Sequence, residues 1–292
     1  MITGSLVALV TPMLDNGDVD YDALEKLVEW HIAEGTDGIV AVGTTGESAT
    51  LDEKEHCDVI RATVETVNKR IPVIAGTGAN STSEAITLTT CAKSAGADAC
   101  LLVTPYYNKP TQQGLYLHYK AVAEAVDIPQ ILYNVPGRTA VDMDVETVGR
   151  LSAVSNITGL KEAAADGPSR VATLRELCGS DFALYSGNDD TGREFVLNGG
   201  NGVISVTANI APGIMHRMIT AALTGSPESG ELDAQLAPLH DKLFVKSNPI
   251  PAKWALARMG RIGLGIRLPL TVLDEGCHAE VESALRESGV LN

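Results

Sequence analysis

GIVAVGTTGESATLDEKEHCDVIRATVETVNKRIPVIA, residues 38–75, contains one complete unit of the fold. A continuous apolar run at 38–42 leads into a glycine-flanked loop, then a helix-period segment at 51–67, then a second apolar run at 72–75. Parallel strands buried on both faces require such unbroken runs, and strands alternating with helical segments of this length read as parallel βαβ units. Outward from this stretch, apolar runs recur at 6–10, 100–103, 130–133, 157–160, 182–185 and 202–206. Amphipathic segments lie between them: in 20–34, Leu24, Leu27, Val28 and Ile32 share one stripe, and 83–95 reads the same way. Asp20 and Ser81 occupy N-cap positions, and Gly35 and Gly96 stand where helices stop.

Eight such units in about 210 residues predict an α/β fold, a closed (β/α)8 TIM barrel. An open doubly wound sheet is the rival, and the even unit length favours closure. The tail carries helical patterns at 211–223, 230–244, 251–259 and 272–288 and no further strand. Residues 1–224 are therefore expected to form the barrel and 225–292 a small C-terminal helical extension.

Acidic residues outnumber basic ones, 37 to 22, for a formal net charge of −15 over 292 residues. With no basic run, the chain lacks the clustered Lys and Arg that nucleic acid or an anionic membrane surface demands. No stretch of 18 apolar residues occurs that would span a bilayer. The opening MITGSLVALVTPMLDNGD has no basic n-region and reads as a first strand. The five cysteines form no CxxC pair, the pattern of reduced thiols in a cytoplasmic protein. The six histidines show no metal-ligand spacing, so no metal is expected.

In this fold, chemistry belongs at the C-terminal ends of the strands. Those ends carry Gly43-Thr44-Thr45-Gly46-Glu47-Ser48, Thr104-Pro105-Tyr106-Tyr107-Asn108, Tyr133-Asn134-Val135-Pro136-Gly137-Arg138, Lys161-Glu162, Ser186-Gly187-Asn188-Asp189 and Ser205-Val206-Thr207. Nine of the ten lysines lie in helical or loop contexts that suit a solvated ammonium, whereas Lys161 ends an apolar run. Strand alternation puts it on one face with Ile157 and Gly159, the face directed into the barrel. A desolvated amine there would be a neutral nucleophile for a carbonyl. The residue by itself fits equally a strand-end lysine that snorkels to solvent or pairs with Glu162. Tyr133, on the neighbouring strand, offers a phenol that both donates and accepts protons. Thr44 and Thr45 present hydroxyls and N–H groups to an anion, and Arg138 could clamp a carboxylate.

Taken together, GTTGES (43–48), VTPYYNKP (103–110), ILYNVPGRT (131–139), GLKEA (159–163) and GVISVTAN (202–209) resemble the dihydrodipicolinate synthase family of pyruvate-dependent class I aldolases. The likeness continues through NPIPAKWAL (248–256) and RLPLT (267–271), effectively the whole chain. It implies a lyase-type condensation of pyruvate with L-aspartate 4-semialdehyde to 4-hydroxy-tetrahydrodipicolinate, the committed step towards diaminopimelate and lysine. By the resemblance, Lys161 forms the imine with pyruvate and no separate cofactor is used. Tyr133 relays protons with Thr44 and with Tyr107 of a neighbouring subunit. Thr45 and the Ile204 backbone hold the pyruvate carboxylate, Gly187 lies against the bound substrate, and Arg138 takes the semialdehyde carboxylate. A homotetramer of paired tight dimers is implied. Ser48, Ala49, His56, Asn80, Glu84 and Tyr106 match an allosteric site for the inhibitor L-lysine, although Glu53 stands where inhibited bacterial members often carry His. Two alternatives remain, a sialic-acid or keto-deoxy-sugar acid aldolase using the same lysine and a catalytically silent acid-binding barrel.

Overall fold

The computed structural model describes residues 1–291; Asn292, the end of the expected helical extension, lies outside the described residues. Strands β1 (Gly4–Ala8), β2 (Gly38–Ala41), β3 (Val73–Gly76), β4 (Ala99–Val103), β5 (Gln130–Asn134), β6 (Ile157–Glu162), β7 (Ala183–Ser186) and β8 (Gly202–Ser205) pair in parallel, each with the next. Strand β1 closes on β8, with Gly4 opposite Gly202, so the sheet is the closed barrel expected from the repeat. That seam depends on glycine: a Cβ on Gly202 would lie 2.1 Å from the Gly4 carbonyl oxygen.

Between the strands run α1 (Tyr21–Ala33), α2 (Glu53–Val67), α3 (Thr82–Ala95), α4 (Gln112–Ala125), a short α5 (Pro136–Thr139), α6 (Val145–Ser152), α7 (Gly167–Cys178) and α8 (Gly192–Leu197). Then follow α9 (Pro212–Leu223), which packs on β1, and α10 (Glu228–Lys242), α11 (Ile250–Arg258) and α12 (Glu275–Glu287). At α1 and α2 side chains replace the missing backbone partners, whereas Ser81 stands at the N-cap of α3 without a side-chain hydrogen bond. Asp20 accepts from Ala23 N, and Asp52 and Glu55 form a reciprocal capping box. Gly96 ends α3 in the left-handed conformation, φ +90°.

Strand alternation divides the core into two layers. Leu6, Val40, Ile74, Leu101, Ile131 and Ile204 fill the barrel interior. Val7, Ile39, Cys100, Leu132, Leu160 and Val203 face the helices. Ile157, expected to share the inner face with Lys161, belongs instead to the outer layer. The cause is a register shift: Gln130 pairs with Ile157 but Ile131 pairs with Gly159, so Thr158 is an extra residue and alternation restarts there. Lys161 and Gly159 keep the inner face, and Ile157 does not.

The cysteines also depart from expectation. Helices α2 and α3 pack side by side and bring Cys57 and Cys91 together as a disulfide with Cα atoms 6.1 Å apart, while Cys100, Cys178 and Cys277 are free. Pairing across neighbouring helices leaves no spacing signature in the chain. Among the described residues no helix is long and apolar enough to cross a membrane.

Candidate active site

Register places Lys161 between two phenol-bearing neighbours, Tyr133 on β5 and Tyr185 on β7. All three point inward, and the Lys161 Nζ lies 4.3 Å from the centroid of the Tyr133 ring. Lys161 is only 5% exposed. Burial pushes its ammonium down from the usual lysine range to about 7, with the Asp189 carboxylate pulling it back up and the Arg138 guanidinium pushing further down. It does not snorkel, and it does not pair with Glu162. That carboxylate points to the other face, where it accepts from Asn134 Nδ2 at 3.0 Å and Ala164 N at 2.7 Å. Burial raises Glu162 to about 6.

The lysine stem needs a bare backbone beside it. A Cβ on Gly187 would sit 2.9 Å from Lys161 Cε and 2.7 Å from Ala163 Cβ. Gly187 is itself fixed by its N–H to the Glu162 carbonyl, 2.7 Å. Tyr133 is buried, which raises its phenol, while Arg138 and a hydrogen bond with Thr44 lower it. Lys161, Tyr133, Thr44, Thr45, Arg138 and Gly187 line one cavity of about 80 Å³ at the C-terminal end of the barrel. Six of the residues singled out in the sequence therefore converge. Ile204 lies in the interior layer below, and Val206 of the same segment lines the cavity in its place. Tyr107 is not brought to Lys161 within the chain. It stands 90% exposed with φ +73°, a conformation uncommon for a bulky residue.

Sequence reasoning assigned no role to three residues that hold the site together. Asn248, preceding a cis proline, lines the cavity and donates from Nδ2 to Thr45 Oγ1 at 2.8 Å. Its carbonyl accepts from Arg138 Nη2 at 3.3 Å, so one residue of the C-terminal region fixes two cavity side chains. Asp189 ties the β7 and β8 loops together, accepting from Ser205 Oγ, Val206 N and Thr207 N. Lys253 of α11, assumed solvated from its helical context, is only 2% exposed and donates to Glu47 Oε1 at 2.5 Å. The repeated prolines of NPIP were the one available signal for Asn248. For Lys253 there was none, because α11 buries both the lysine and its apolar neighbours.

A second cavity, of about 450 Å³, adjoins the first. Ser48, Ala49, His56, Glu84 and Tyr106 border it, as does Glu53. Asn80 does not, but its Nδ2 donates to the Tyr106 carbonyl at 3.3 Å. Burial lowers the His56 imidazole, whose Nε2 lies 2.7 Å from the Gly76 carbonyl oxygen. Thr44, Arg138 and Asn248 stand in the walls of both cavities. Among the described residues no cluster of three or more His, Cys, Asp or Glu could hold a metal ion.

Comparison with known proteins follows the same lines. The model of the dihydrodipicolinate synthetase family matches residues 1–288. The chain is 63% identical over 292 residues to 4-hydroxy-tetrahydrodipicolinate synthase of Methylococcus capsulatus, covering 100% of both chains. Among solved structures it superposes on the chloride-inhibited dihydrodipicolinate synthase of Acinetobacter baumannii complexed with pyruvate, with TM-score 0.98, 55% identity and full coverage of both chains. The enzyme of Cyanidioschyzon merolae with lysine bound gives TM-score 0.96 at 40% identity, over 99% of each chain.

Proposed function

Because the chain belongs to the dihydrodipicolinate synthase family, we propose that it works through an imine between Lys161 and pyruvate. The enzyme is a lyase that condenses pyruvate with L-aspartate 4-semialdehyde to give 4-hydroxy-tetrahydrodipicolinate, the committed step of diaminopimelate and lysine biosynthesis. The observation that carries the mechanism is Lys161 itself, an inward amine brought by burial to about 7 and facing a buried phenol.

Its neutral Nζ attacks the pyruvate carbonyl carbon, and the carbinolamine loses water as Tyr133 and Thr44 pass protons. The imine nitrogen then accepts the electron pair left when a methyl proton departs, so the step calls for no external cofactor. The resulting enamine carbon adds to the aldehyde. The amino group of the semialdehyde closes the ring by attacking the former imine carbon, and the Lys161 amine leaves. Thr45 and the backbone near Ile204 hold the pyruvate carboxylate, Gly187 makes room for the adduct, and Arg138 takes the second carboxylate. Tyr107 completes the relay from a second subunit, which requires an assembly; we assign a homotetramer of tight dimers. We assign catalysis to residues 1–224, with 225–292 supplying Asn248. A cytoplasmic location belongs to this reading, and reductants there would open the Cys57–Cys91 bond.

We also propose the 450 Å³ cavity as an allosteric site for L-lysine, with Glu84 facing its ammonium. Its shared wall with Thr44 and Arg138 gives inhibition a direct route to the catalytic cavity. Activity that stays flat up to millimolar lysine would refute this, and a monomer by sedimentation would refute the assembly. The test of the function is a pair of assays, pyruvate with aspartate semialdehyde and, separately, sialic acid cleavage. Turnover only in the first supports the assignment; turnover in the second favours a rival lyase, and neither activity with no imine favours a silent barrel.

A further inference from the structure

Behind the catalytic pair, on the face of the sheet that meets the helices, a second pair sits one residue further along the same strands. Register sets Tyr133 opposite Lys161 and Asn134 opposite Glu162. The first two point into the barrel, and the next two, 0% and 2% exposed, point out of it. A carboxylate buried on that face is costly unless its oxygens are satisfied. The imine mechanism uses neither Asn134 nor Glu162.

The partners leave the Asn134 amide one orientation. Its Oδ1 accepts from Met143 N at 3.0 Å, so the two hydrogens of Nδ2 face the carboxylates. One goes to Asp142 Oδ1 at 2.7 Å, and the other to Glu162, 3.0 Å from Oε1 and 3.2 Å from Oε2. Glu162 Oε1 also accepts from Ala164 N at 2.7 Å. Arg170 of α7 donates from both Nη atoms to Asp142, at 2.8 and 2.7 Å, and its Nη1 lies 3.5 Å from Glu162 Oε2. Its Nε donates to Asp166 at 2.8 Å. The main chain extends the bridge. The Asn134 carbonyl accepts from Ala163 N at 2.9 Å, and the Glu162 carbonyl from Gly187 N, the glycine beside the Lys161 stem.

The ladder that carries this bridge is the irregular one, because the extra Thr158 shifts its register. A further slip of one residue would turn Lys161 out of the barrel and away from Tyr133. The same slip would move Glu162 to the inner face, away from Asn134 and Arg170, and leave a buried carboxylate unpaired. The bridge thus penalises the wrong register. We propose that Asn134 and Glu162 are positioning residues, whose bridge fixes the register in which the Lys161 amine meets the Tyr133 phenol. This rests on the imine reading above and adds two residues that never touch substrate.

The test is a mutant cycle read in kcat. Glu162→Gln keeps an oxygen acceptor for Asn134 and Ala164 N, and should stay within about threefold of the wild type. Glu162→Leu keeps the bulk and removes the acceptor. It should lose about 10²-fold, the cost of misplacing reacting groups by about 1 Å. Coupling to Tyr133 separates positioning from maintenance of the fold. With Tyr133→Phe no phenol is left to misplace, so adding Glu162→Leu should cost less than about threefold more. Should Glu162→Leu misfold, Asn134→Ser breaks the bridge from the other side and replaces it in the cycle. Losses that multiply across the cycle, a Glu162→Gln enzyme slowed about 10²-fold, or a Glu162→Leu enzyme as fast as the wild type each overturn the proposal. Failure of the wild type to trap pyruvate with borohydride would instead strike the imine reading, so the two failures are distinguishable.

Discussion

Two lysines are buried in this protein, and they do opposite things. Lys161 ends β6 inside the barrel, 5% exposed, with an aromatic face 4.3 Å away and no carboxylate in salt-bridge contact. Lys253 lies in α11, 2% exposed, with the Glu47 carboxylate at 2.5 Å. Burial depresses both, but at Lys253 the charge and hydrogen bond of Glu47 oppose it, and no such contact exists at Lys161. Desolvation alone is therefore not enough for a nucleophile, and Lys161, the proposed one, is desolvated without a contacting counter-ion. The paired lysine has a different task. Glu47 also accepts from Arg267 N at 3.2 Å, so the pair fixes the C-terminal region against the loop that presents Thr44 and Thr45.

This contrast is breakable at each lysine. The largest effect is expected from Lys161→Ala, which should abolish both borohydride trapping of pyruvate and turnover. Trapping that survives removes the nucleophile. Tyr133→Phe should keep trapping measurable but cut kcat by about 10²–10⁴, the usual worth of a positioned acid–base group. A rate near that of the wild type would sink the relay.

Lys253→Met tests the other side. It leaves the Glu47 charge buried and should cost about 3–5 kcal/mol, read as a lower Tm, whereas Lys253→Met with Glu47→Leu should recover most of the loss. If the single variant is as stable as the wild type, the pair is not structural. Lys161→Met should act with the opposite sign. Unfolded, this amine holds its proton to about 10.5, but folded it releases it near 7, so stability rises with pH between those values. Replacing it should therefore stabilise the fold by a few kcal/mol at pH 6, with the gain shrinking as pH approaches 10. Denaturant melts at the two pH values check this, and a pH-independent difference contradicts it. The smallest change is Gly187→Ala, whose methyl would press on Lys161 Cε; about 1–3 kcal/mol of strain is expected. Imine formation should slow without a change in the residue trapped.

The barrel was readable because burial on both strand faces writes itself as unbroken apolar runs, and helices between them as stripes. The inward lysine was readable for the same reason, being a charge at the end of such a run. Alternation failed at Ile157 because one extra residue, Thr158, enters the β5–β6 pairing, and no periodicity reports a bulge. Lys253 and Glu47 are 206 residues apart, and Cys57 and Cys91 meet only because two helices pack together. Contacts of that kind are properties of the assembled fold. Asn248 belongs with them: its part in the cavity arises where the C-terminal region lies over the barrel mouth. Tyr107 stood at a strand end in the sequence, but its relay role came from family resemblance alone, and within the chain it is exposed, with a left-handed backbone.

The decisive measurement is borohydride trapping of pyruvate across a pH series, with the labelled peptide identified by mass. The account predicts one reduced pyruvate per chain, carried on the Lys161 peptide, with trapping half-maximal near pH 7. Label on the Lys253 peptide, or trapping that begins only as pH nears 10, would contradict it.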